Sequence, residues 1–321
     1  MKPIRFGLFP EFSKESLPVW EWTQVAQQIE QLGYSSILQQ DHFYTTAYDP
    51  IAILASAASV TKTIKIGSFV FSVDFRHPVI LAKAAATIHL MSRGRFELGI
   101  GAGYQPDDYN MSGIPLDSPK KRVERLEEAL KIIKSMWAED CTSFTGKFYH
   151  VKEIERAGEL QVGDYPKIMI GAGGKKMLRI AAEYADIVGI IPRWPGSWGK
   201  AIHLHTLDRI KNKIEQVRIK AEELGRDPDS IEYQMFIPFN EITKDSEHRR
   251  TRIDGITENF GATSESIEKS EYVMIGSSDY IRKRISKLYK ETGANYFVLN
   301  IRKDQHEEYA RSIIHPLTQK T

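Results

Sequence analysis

The sequence of 321 residues has little cysteine and little excess charge: one cysteine, Cys141, and a formal net charge of +2 at pH 7. A single cysteine excludes a disulfide framework and a cysteine-rich metal site. The near balance of 44 basic and 42 acidic residues gives no electrostatic basis for general nucleic-acid binding. The sequence also lacks an apolar run of about 20 residues, the length that a membrane-spanning helix needs. We therefore expect neither a nucleic-acid partner nor a membrane.

The amino terminus, MKPIRFGLFPEF, has too short an apolar run for a secretory signal peptide. Hydrophobic residues make up 41% of the sequence and charged residues 27%, which allows a large core and argues against disorder. We therefore expect a cytoplasmic, folded protein. No low-complexity linker interrupts the chain, so one domain over residues 1–321 is predicted.

Apolar runs alternate with helical patterns, an arrangement typical of a parallel sheet. Eight runs have the length of strands, namely Ile4–Phe9, Ser35–Leu38, Ile64–Phe71, Phe96–Ile100, Lys167–Ile170, Asp186–Ile191, Ile231–Ile237 and Asn295–Ile301. Helical periodicity is clear over Pro119–Trp137 and predicts another helix over Ala201–Leu224. The pattern predicts an α/β fold, a (β/α)8 TIM barrel with insertions after strands 4 and 7. An open doubly wound sheet is the alternative.

In such a barrel the functional residues lie in the loops after the strands. The loop after strand 2 contains QQDHF, with Asp41 next to His42. Histidine titrates near neutral pH, so His42 is the best candidate for proton transfer, and Asp41 could orient His42 or bind a ligand itself. No set of His, Asp and Glu residues has the spacing of metal ligands, so no metal site is predicted.

Two glycine-rich segments follow strands 4 and 5. In GAGGKK, glycines and the start of a helix leave backbone N–H groups for a phosphate, although a tight turn without a ligand would have the same sequence. GIGAGY does not fit the dinucleotide-binding fingerprint, because Tyr104 stands where the third glycine is required. Its small residues either let a flat ring or a phosphate approach the backbone or pack the rim of the barrel.

Four blocks, in this order, resemble the luciferase-like oxidoreductase superfamily, nearest the branch of probable coenzyme F-420-dependent oxidoreductases. They read QQDHF, FRHPVILAKAAATIHLMSRGRFELGIGAGYQPDDYNMSGIP, RVERLEEALKIIKSMW and KIMIGAGGKKMLRIAAEYADIVGI. The resemblance implies an enzyme with a (β/α)8 barrel that binds FMN or the deazaflavin coenzyme F-420. It implies hydride transfer or monooxygenation of a small organic substrate.

The resemblance also implies site residues. Those expected to hold the cofactor's tail and phosphate are Gly101, Ala102, Gly103, Gly171, Ala172, Gly173, Gly174 and Lys175. A non-proline cis peptide that backs the ring is expected at Ser72-Val73. Asp41 and His42 are expected to be catalytic, with His42 near the reacting carbon. Tyr104 and Gln105 stand where some F-420 dehydrogenases carry a glutamic acid, so a sugar-phosphate dehydrogenase is not predicted.

Two other functions stay open at this point: a catalytically silent barrel that binds a flavin, and a phosphate-binding barrel enzyme without a redox cofactor. Aromatic residues in the loops expected around the substrate favour an apolar or planar molecule; they are Phe12, Trp20, Phe43, Tyr44, Trp194 and Trp198. The resemblance further implies a homodimer, and use of FMN would point to a flavin reductase as partner or to a simple FMN reductase.

Overall fold

The computed structural model describes residues 2–10, 18–43, 48–156, 160–161, 163–192, 202 and 204–319. The strands are β1 Arg5–Leu8, β2 Ser36–Gln39, β3 Lys65–Ser68, β4 Phe71–Ser72, β5 Phe96–Gly101, β6 Cys141–Thr145, β7 His150–Glu155, β8 Lys167–Ala172, β9 Ile187–Ile190, β10 Glu232–Ile237, β11 Phe239–Ile242, β12 Val273–Gly276 and β13 Tyr296–Leu299. The helices are α1 Trp22–Gln31, α2 Pro50–Val60, α3 Pro78–Met91, α4 Pro106–Ser112, α5 Pro119–Ala138, α6 Lys175–Tyr184, α7 Leu207–Glu223, α8 Ser246–Phe260, α9 Ser264–Glu268, α10 Ser278–Thr292, α11 His306–Tyr309 and α12 His315–Thr318.

The predicted α/β barrel is confirmed. Its sheet has the order β3-β2-β1-β13-β10-β9-β8-β5-β4, and pairing of β3 with β5 closes the ring. β13 pairs in parallel with both of its neighbours: Phe297 is in register with Phe6 of β1 and with Met235 of β10. Each of the eight predicted strands has its counterpart, because long apolar runs between helical repeats can form little else than buried parallel strands.

The chain contains two compact units. Unit 1 comprises Met1–Glu11, Ile29–Ser36 and Gly171–Thr321, and unit 2 comprises Phe12–Gln28 and Ile37–Ile170. In unit 2 the buried indoles of Trp22 and Trp137 donate hydrogen bonds to main-chain carbonyls, at 2.9 and 3.1 Å. Burial of such large side chains, each with its polar atom satisfied, is the main source of stability of a core. One domain over the whole chain stays a prediction.

The insertions after strands 4 and 7 are present. The first contains an antiparallel hairpin of β6 and β7. The second contains β11 and β12, which pair in parallel, together with α8 and α9. The sequence did not predict β11 or β12, because four residues provide too little periodicity. The predicted helix start at Ala201 lies outside the described residues; within them, α7 begins at Leu207, since the extended backbone of Thr206 precedes it.

Within the described ranges, no helix is long and apolar enough to cross a membrane. In the same ranges, no three His, Cys, Asp or Glu side chains come together in a way that could hold a metal ion.

Gly99 shows why β5 requires glycine. A Cβ at this position would lie 2.0 Å from the carbonyl oxygen of Ser68 and 2.9 Å from a methyl carbon of Val70. The first of these atoms belongs to the backbone of β3, so it cannot turn aside as a side chain could. The strand pair therefore tolerates no side chain at this position.

We expect Gly99→Ala to lower the free energy of unfolding by about 1–3 kcal/mol or more, because β3 and β5 must separate to admit the methyl group. Gly255→Ala is the matched control, since a Cβ on Gly255 in α8 would meet no described atom within 4 Å. That control should be neutral or stabilising by about 0.5–1 kcal/mol, since alanine favours a helix. Urea unfolding followed by circular dichroism measures both, and equal stability of the two variants would contradict the packing argument.

Candidate functional site

Three buried carboxylates follow the strands of unit 2: Asp41 after β2, Asp74 after β4 and Asp108 in α4, after β5. Asp41 is 4% exposed, Asp108 is 1% exposed, and the side chain of Asp74 is 1% exposed. A buried carboxylate is costly unless donors compensate it, so the partners of these three groups define the site.

Asp108 holds His42. Its Oδ2 atom lies 2.6 Å from Nδ1 of His42, and its Oδ1 atom accepts a hydrogen bond of 2.7 Å from the backbone N–H of Phe43. Because an ionised carboxylate can only accept, Nδ1 carries the hydrogen and the lone pair of the neutral ring is on Nε2. The ring of Tyr104 stands edge-on to the imidazole, with centroids 5.8 Å apart. The arrangement fixes the tautomer and the orientation of His42.

Asp41 has other partners. Its Oδ2 atom accepts hydrogen bonds from the backbone N–H of Ser72, at 3.0 Å, and from the guanidinium of Arg76, at 2.7 Å. The expectation that Asp41 orients His42 is therefore wrong. Neighbouring residues in an extended segment project in opposite directions, so Asp41 points towards β4 while His42 points towards α4. Asp41 fixes the end of β4, and a catalytic role for it stays a prediction.

Asp74 fastens the loop after β4 to α4 and α5. It accepts a hydrogen bond of 2.7 Å from the hydroxyl of Tyr109, and it pairs with Arg125, which also pairs with Asp117. Burial, followed by the hydrogen bond to Asp74, raises the pKa of Tyr109 well above the usual range of a phenol. Tyr109 therefore stays neutral and keeps donating at physiological pH.

The non-proline cis peptide lies between Phe69 and Val70, so its predicted position at Ser72-Val73 is wrong. The sequence pattern predicts one strand that continues through Phe71. In the structure β3 ends at Ser68, and β4 begins at Phe71 after two intervening residues. Ser72 and Val73 are both buried, and the N–H of Val73 donates to the carbonyl of Gly101 at 3.0 Å. They join the end of β4 to the end of β5.

Gly101 and Gly103 are explained by packing inside the protein. A Cβ on Gly101 would lie 3.0 Å from a methyl carbon of Val70. A Cβ on Gly103 would lie 1.9 Å from the hydroxyl oxygen of Tyr109, and the φ of +69° at Gly103 also favours glycine. Ala102, between them, is half-buried. Of the two interpretations of GIGAGY, packing at the rim of the barrel accounts for Gly101 and Gly103 without a ligand.

The segment after β8, in unit 1, is different. Gly171 and Ala172 end the strand, and a Cβ on Gly173 would lie 2.7 Å from the carbonyl oxygen of Pro192. Gly174 is the N-cap of α6 and provides no capping side chain; a Cβ on it would meet no atom of the described residues within 4 Å. Exposed Lys175 is the first residue of the helix. Open space, N–H groups of the first turn and a cation fit an anionic group.

Lys213 is a partly buried cation beside the end of β9. It donates a hydrogen bond to the carbonyl of Ile191, the residue that follows the strand. Burial, followed by the charge of Arg209, lowers the pKa of Lys213 to about 8. The sequence pattern gave no sign of this group, because Lys213 belongs to the amphipathic repeat of α7.

Of the aromatic residues expected around the substrate, four lie outside the described residues: Phe12, Tyr44, Trp194 and Trp198. Trp20 is 77% exposed and Phe43 is 41% exposed. The ring of Phe43 packs on that of Phe75, with centroids 4.5 Å apart. Phe43 follows His42 directly, so an apolar surface adjoins the imidazole.

No sequence pattern singled out Asp108, the partner of His42. The N-cap of α4 is Gln105, and Asp107 accepts a hydrogen bond of 3.0 Å from the Gln105 side chain. The sequence does contain one signal for it, the adjacent pair Asp107-Asp108 after a strand end. One carboxylate is enough to favour a helix start, so the second indicates another role.

Comparison with known proteins agrees with the predicted fold and family. The sequence model of the family described as luciferase-like monooxygenase matches residues 10–256. An F420-dependent glucose-6-phosphate dehydrogenase of Amycolatopsis mediterranei is 28% identical over 228 residues. This match covers 68% of the chain and 65% of that relative, just under two thirds of its length. The enzyme of the same name from Kribbella flavida is 26% identical over 325 residues, with 92% of each chain covered.

Solved structures share the fold at low sequence identity. An F420-dependent secondary alcohol dehydrogenase in complex with an F420-acetone adduct has a TM-score of 0.79 at 18% identity, with 98% of this chain and 99% of that chain covered. The oxygenating constituent of 3,6-diketocamphane monooxygenase of Pseudomonas putida, in complex with FMN, has a TM-score of 0.74 at 20% identity, with 99% of each chain covered. At these identities, the two structures support the barrel and nothing finer.

We expect the free energy of unfolding of the wild-type protein, minus that of the Lys213→Gln variant, to rise between pH 8 and pH 10.5. Below pH 8 the lysine is charged in both states, and its burial destabilises the fold. Between the pKa of about 8 in the folded protein and the ordinary value of 10.5, only the unfolded chain keeps the proton, so stability increases with pH. Urea unfolding across this range is the measurement, with Lys211→Gln on the exposed face of α7 as control. If the difference in stability between wild type and Lys213→Gln did not change with pH, the predicted effect would be refuted.

Proposed function

The chain belongs to the luciferase-like monooxygenase family, and on this premise we propose that it transfers a hydride between a deazaflavin or flavin and a small organic substrate, with His42 exchanging the substrate's proton. Members of this class are oxidoreductases, and the chain is one of them. The pairing of His42 with buried Asp108, after the carboxyl ends of β2 and β5, is the observation that carries the proposal. In barrel enzymes the chemistry is carried out at these strand ends.

We propose coenzyme F-420 as the first candidate cofactor and FMN as the second. Both dehydrogenases compared above are F420-dependent by name, as is the alcohol dehydrogenase of similar fold. The camphane monooxygenase, of similar fold, is in complex with FMN, which supports the second candidate. Either cofactor would supply the hydride chemistry that amino-acid side chains cannot.

His42 would act as a general acid–base. In the oxidation of an alcohol, Nε2 of His42 takes the hydroxyl proton, and the resulting imidazolium is stabilised by the Asp108 carboxylate on Nδ1. In the reverse direction the imidazolium returns the proton to the oxygen. Phe43 and His42 both donate to the Asp108 carboxylate, which holds it in place beside the ring. The apolar surface of Phe43 and Phe75 would receive the carbon skeleton of the substrate.

The segment Gly171–Lys175 is our candidate for the cofactor's phosphate. The open position at Gly174, the uncapped first turn of α6 and the charge of Lys175 support it. Ser72 and Val73 use their N–H groups within the protein, so a contribution from them would come from the Ser72 hydroxyl and from apolar contact with Val73. Contacts of the cofactor with residues 101–103, a homodimer, a flavin reductase partner and a cytoplasmic location stay predictions.

A catalytically silent barrel is the alternative, and substitution of His42 separates the two. We expect His42→Asn to lower kcat by about 10²–10⁴, the usual contribution of a positioned acid–base group, with an unchanged dissociation constant of the cofactor. Asp108→Asn should cause a smaller loss, since the ring remains but its tautomer is no longer fixed.

Turnover would be followed by F-420 absorbance with a panel of short secondary alcohols, and cofactor binding by fluorescence. His150→Asn, on the exposed face of β7, is the control. Unchanged turnover of His42→Asn would remove His42 from the mechanism.

The choice of cofactor is tested by titrating the purified, cofactor-stripped protein with F-420 and with FMN side by side. We expect F-420 to bind at micromolar or lower concentration and more tightly than FMN, and Lys175→Gln to weaken the binding. Tighter binding of FMN would reverse the order of the two candidates. Binding of neither would contradict the proposed function as a whole.

A further inference from the structure

Lys213 is joined through one residue to the segment proposed for the cofactor's phosphate. The carbonyl of Ile191 accepts a hydrogen bond from the Lys213 ammonium. The N–H of Ile191 donates to the carbonyl of Ala172, the last residue of β8, at 3.2 Å. Ala172 belongs to the segment Gly171–Lys175, and all of these groups lie in unit 1. The lysine therefore fixes the residue that borders this segment.

The turn after β9 lies directly against Gly173. A Cβ on Gly173 would lie 2.7 Å from the carbonyl oxygen of Pro192 and 3.2 Å from that of Ile191. Two carbonyl oxygens thus face the middle of the segment, and their partial negative charges oppose an anion there. The ammonium of Lys213 compensates the oxygen of Ile191, so it removes part of this opposition.

The charge of Lys213 has no carboxylate partner within the part of the chain that the structure describes. Arg209, one turn earlier in α7, adds a second positive charge, and exposed Asp208 makes no ion pair with either of them. His205 is fully buried, and burial, followed by the charge of Lys213, lowers the pKa of His205 well below its usual range. A partly buried ammonium without a counter-ion is destabilised, and a nearby anion would relieve it.

The helices packed against α7 also carry charged groups. On α6, Glu183 pairs with Arg179 at 2.7 Å. On α10, Arg284 pairs with Glu271 at 2.7 Å. Each of these carboxylates is already paired with an arginine, so neither acts as the counter-ion of the lysine.

We propose that Lys213 is a positioning residue for the phosphate of the cofactor. Its ammonium holds the turn of Ile191 and Pro192 against Gly173 and offsets the carbonyl charge beside the anion. The phosphate is therefore held best while Lys213 carries its proton. This inference rests on the proposed function, in which Gly171–Lys175 receives that phosphate.

The direction of the pH dependence follows from the pKa of Lys213, which burial and the charge of Arg209 lower to about 8. Below pH 8 the lysine is charged before the cofactor arrives, so binding takes up no proton. A bound anion favours the charged form and raises the pKa in the complex, so affinity falls with rising pH between the two pKa values. A rise of about one unit corresponds to a loss of about tenfold in affinity.

The contribution of the phosphate is measured by comparing each cofactor with the same ring that lacks the phosphate: FMN with riboflavin, and F-420 with its deazaflavin fragment. Fluorescence titration from pH 7 to pH 9.5 gives the ratio of the two dissociation constants, in which titration of the ring itself cancels. We expect the preference for the phosphorylated form to fall about tenfold over this range in the wild-type protein.

Variants of the lysine test whether its proton is responsible. In Lys213→Gln the preference should already be about tenfold lower at pH 7 and should not change with pH. In Lys213→Arg it should stay high at every pH, because arginine keeps its charge. Lys175→Gln should lower the preference throughout and keep its pH dependence. Lys211→Gln, on the exposed face of α7, should behave as wild type.

Two results would overturn this inference while leaving the proposed function intact. One is a preference for the phosphorylated cofactor that does not change with pH in the wild-type protein. The other is a pH dependence that survives in Lys213→Gln. Binding of neither cofactor would overturn the inference together with the proposed function.

Discussion

The arrangement of the candidate site depends on the need to compensate three carboxylates that are buried where strands end. Asp41, Asp74 and Asp108 are each held by donors from different loops, so each links two or three segments of unit 2. Removing one donor would leave a buried charge with only part of its compensation, which is more destabilising than the loss of a hydrogen bond between neutral groups. The loops after β2, β4 and β5 are therefore constrained by electrostatics as much as by packing.

The barrel could be predicted from the sequence because its signals are local. An apolar run such as Phe96–Ile100 between helical repeats indicates a buried strand, and β5 extends it by one residue. The pairing of β11 with β12 is not local: their register joins Phe239 to Val273, and each strand has only four residues. A four-residue segment is too short for its periodicity to indicate which strand it pairs with, so β11 and β12 could not be predicted.

The site was predicted in part, for a similar reason. His42 and the segment Gly171–Lys175 could be singled out by residue type at strand ends. The partner of His42 could not, since Asp108 lies 66 residues further along the chain and its neighbour Asp107 has the same chemistry. The cis peptide was placed three residues too late, because a sequence does not reveal where a strand is interrupted.

The two oxygens of Asp108 make separate hydrogen bonds, one with the main-chain N–H of Phe43 and one with the imidazole of His42. The main-chain bond keeps the carboxylate in place whether or not His42 carries a charge. Gain or loss of a proton therefore changes the field around the ring without requiring the loop to move. For the proton exchange that we propose for His42, a pair held in this way would need little reorganisation, because its dipoles are already oriented.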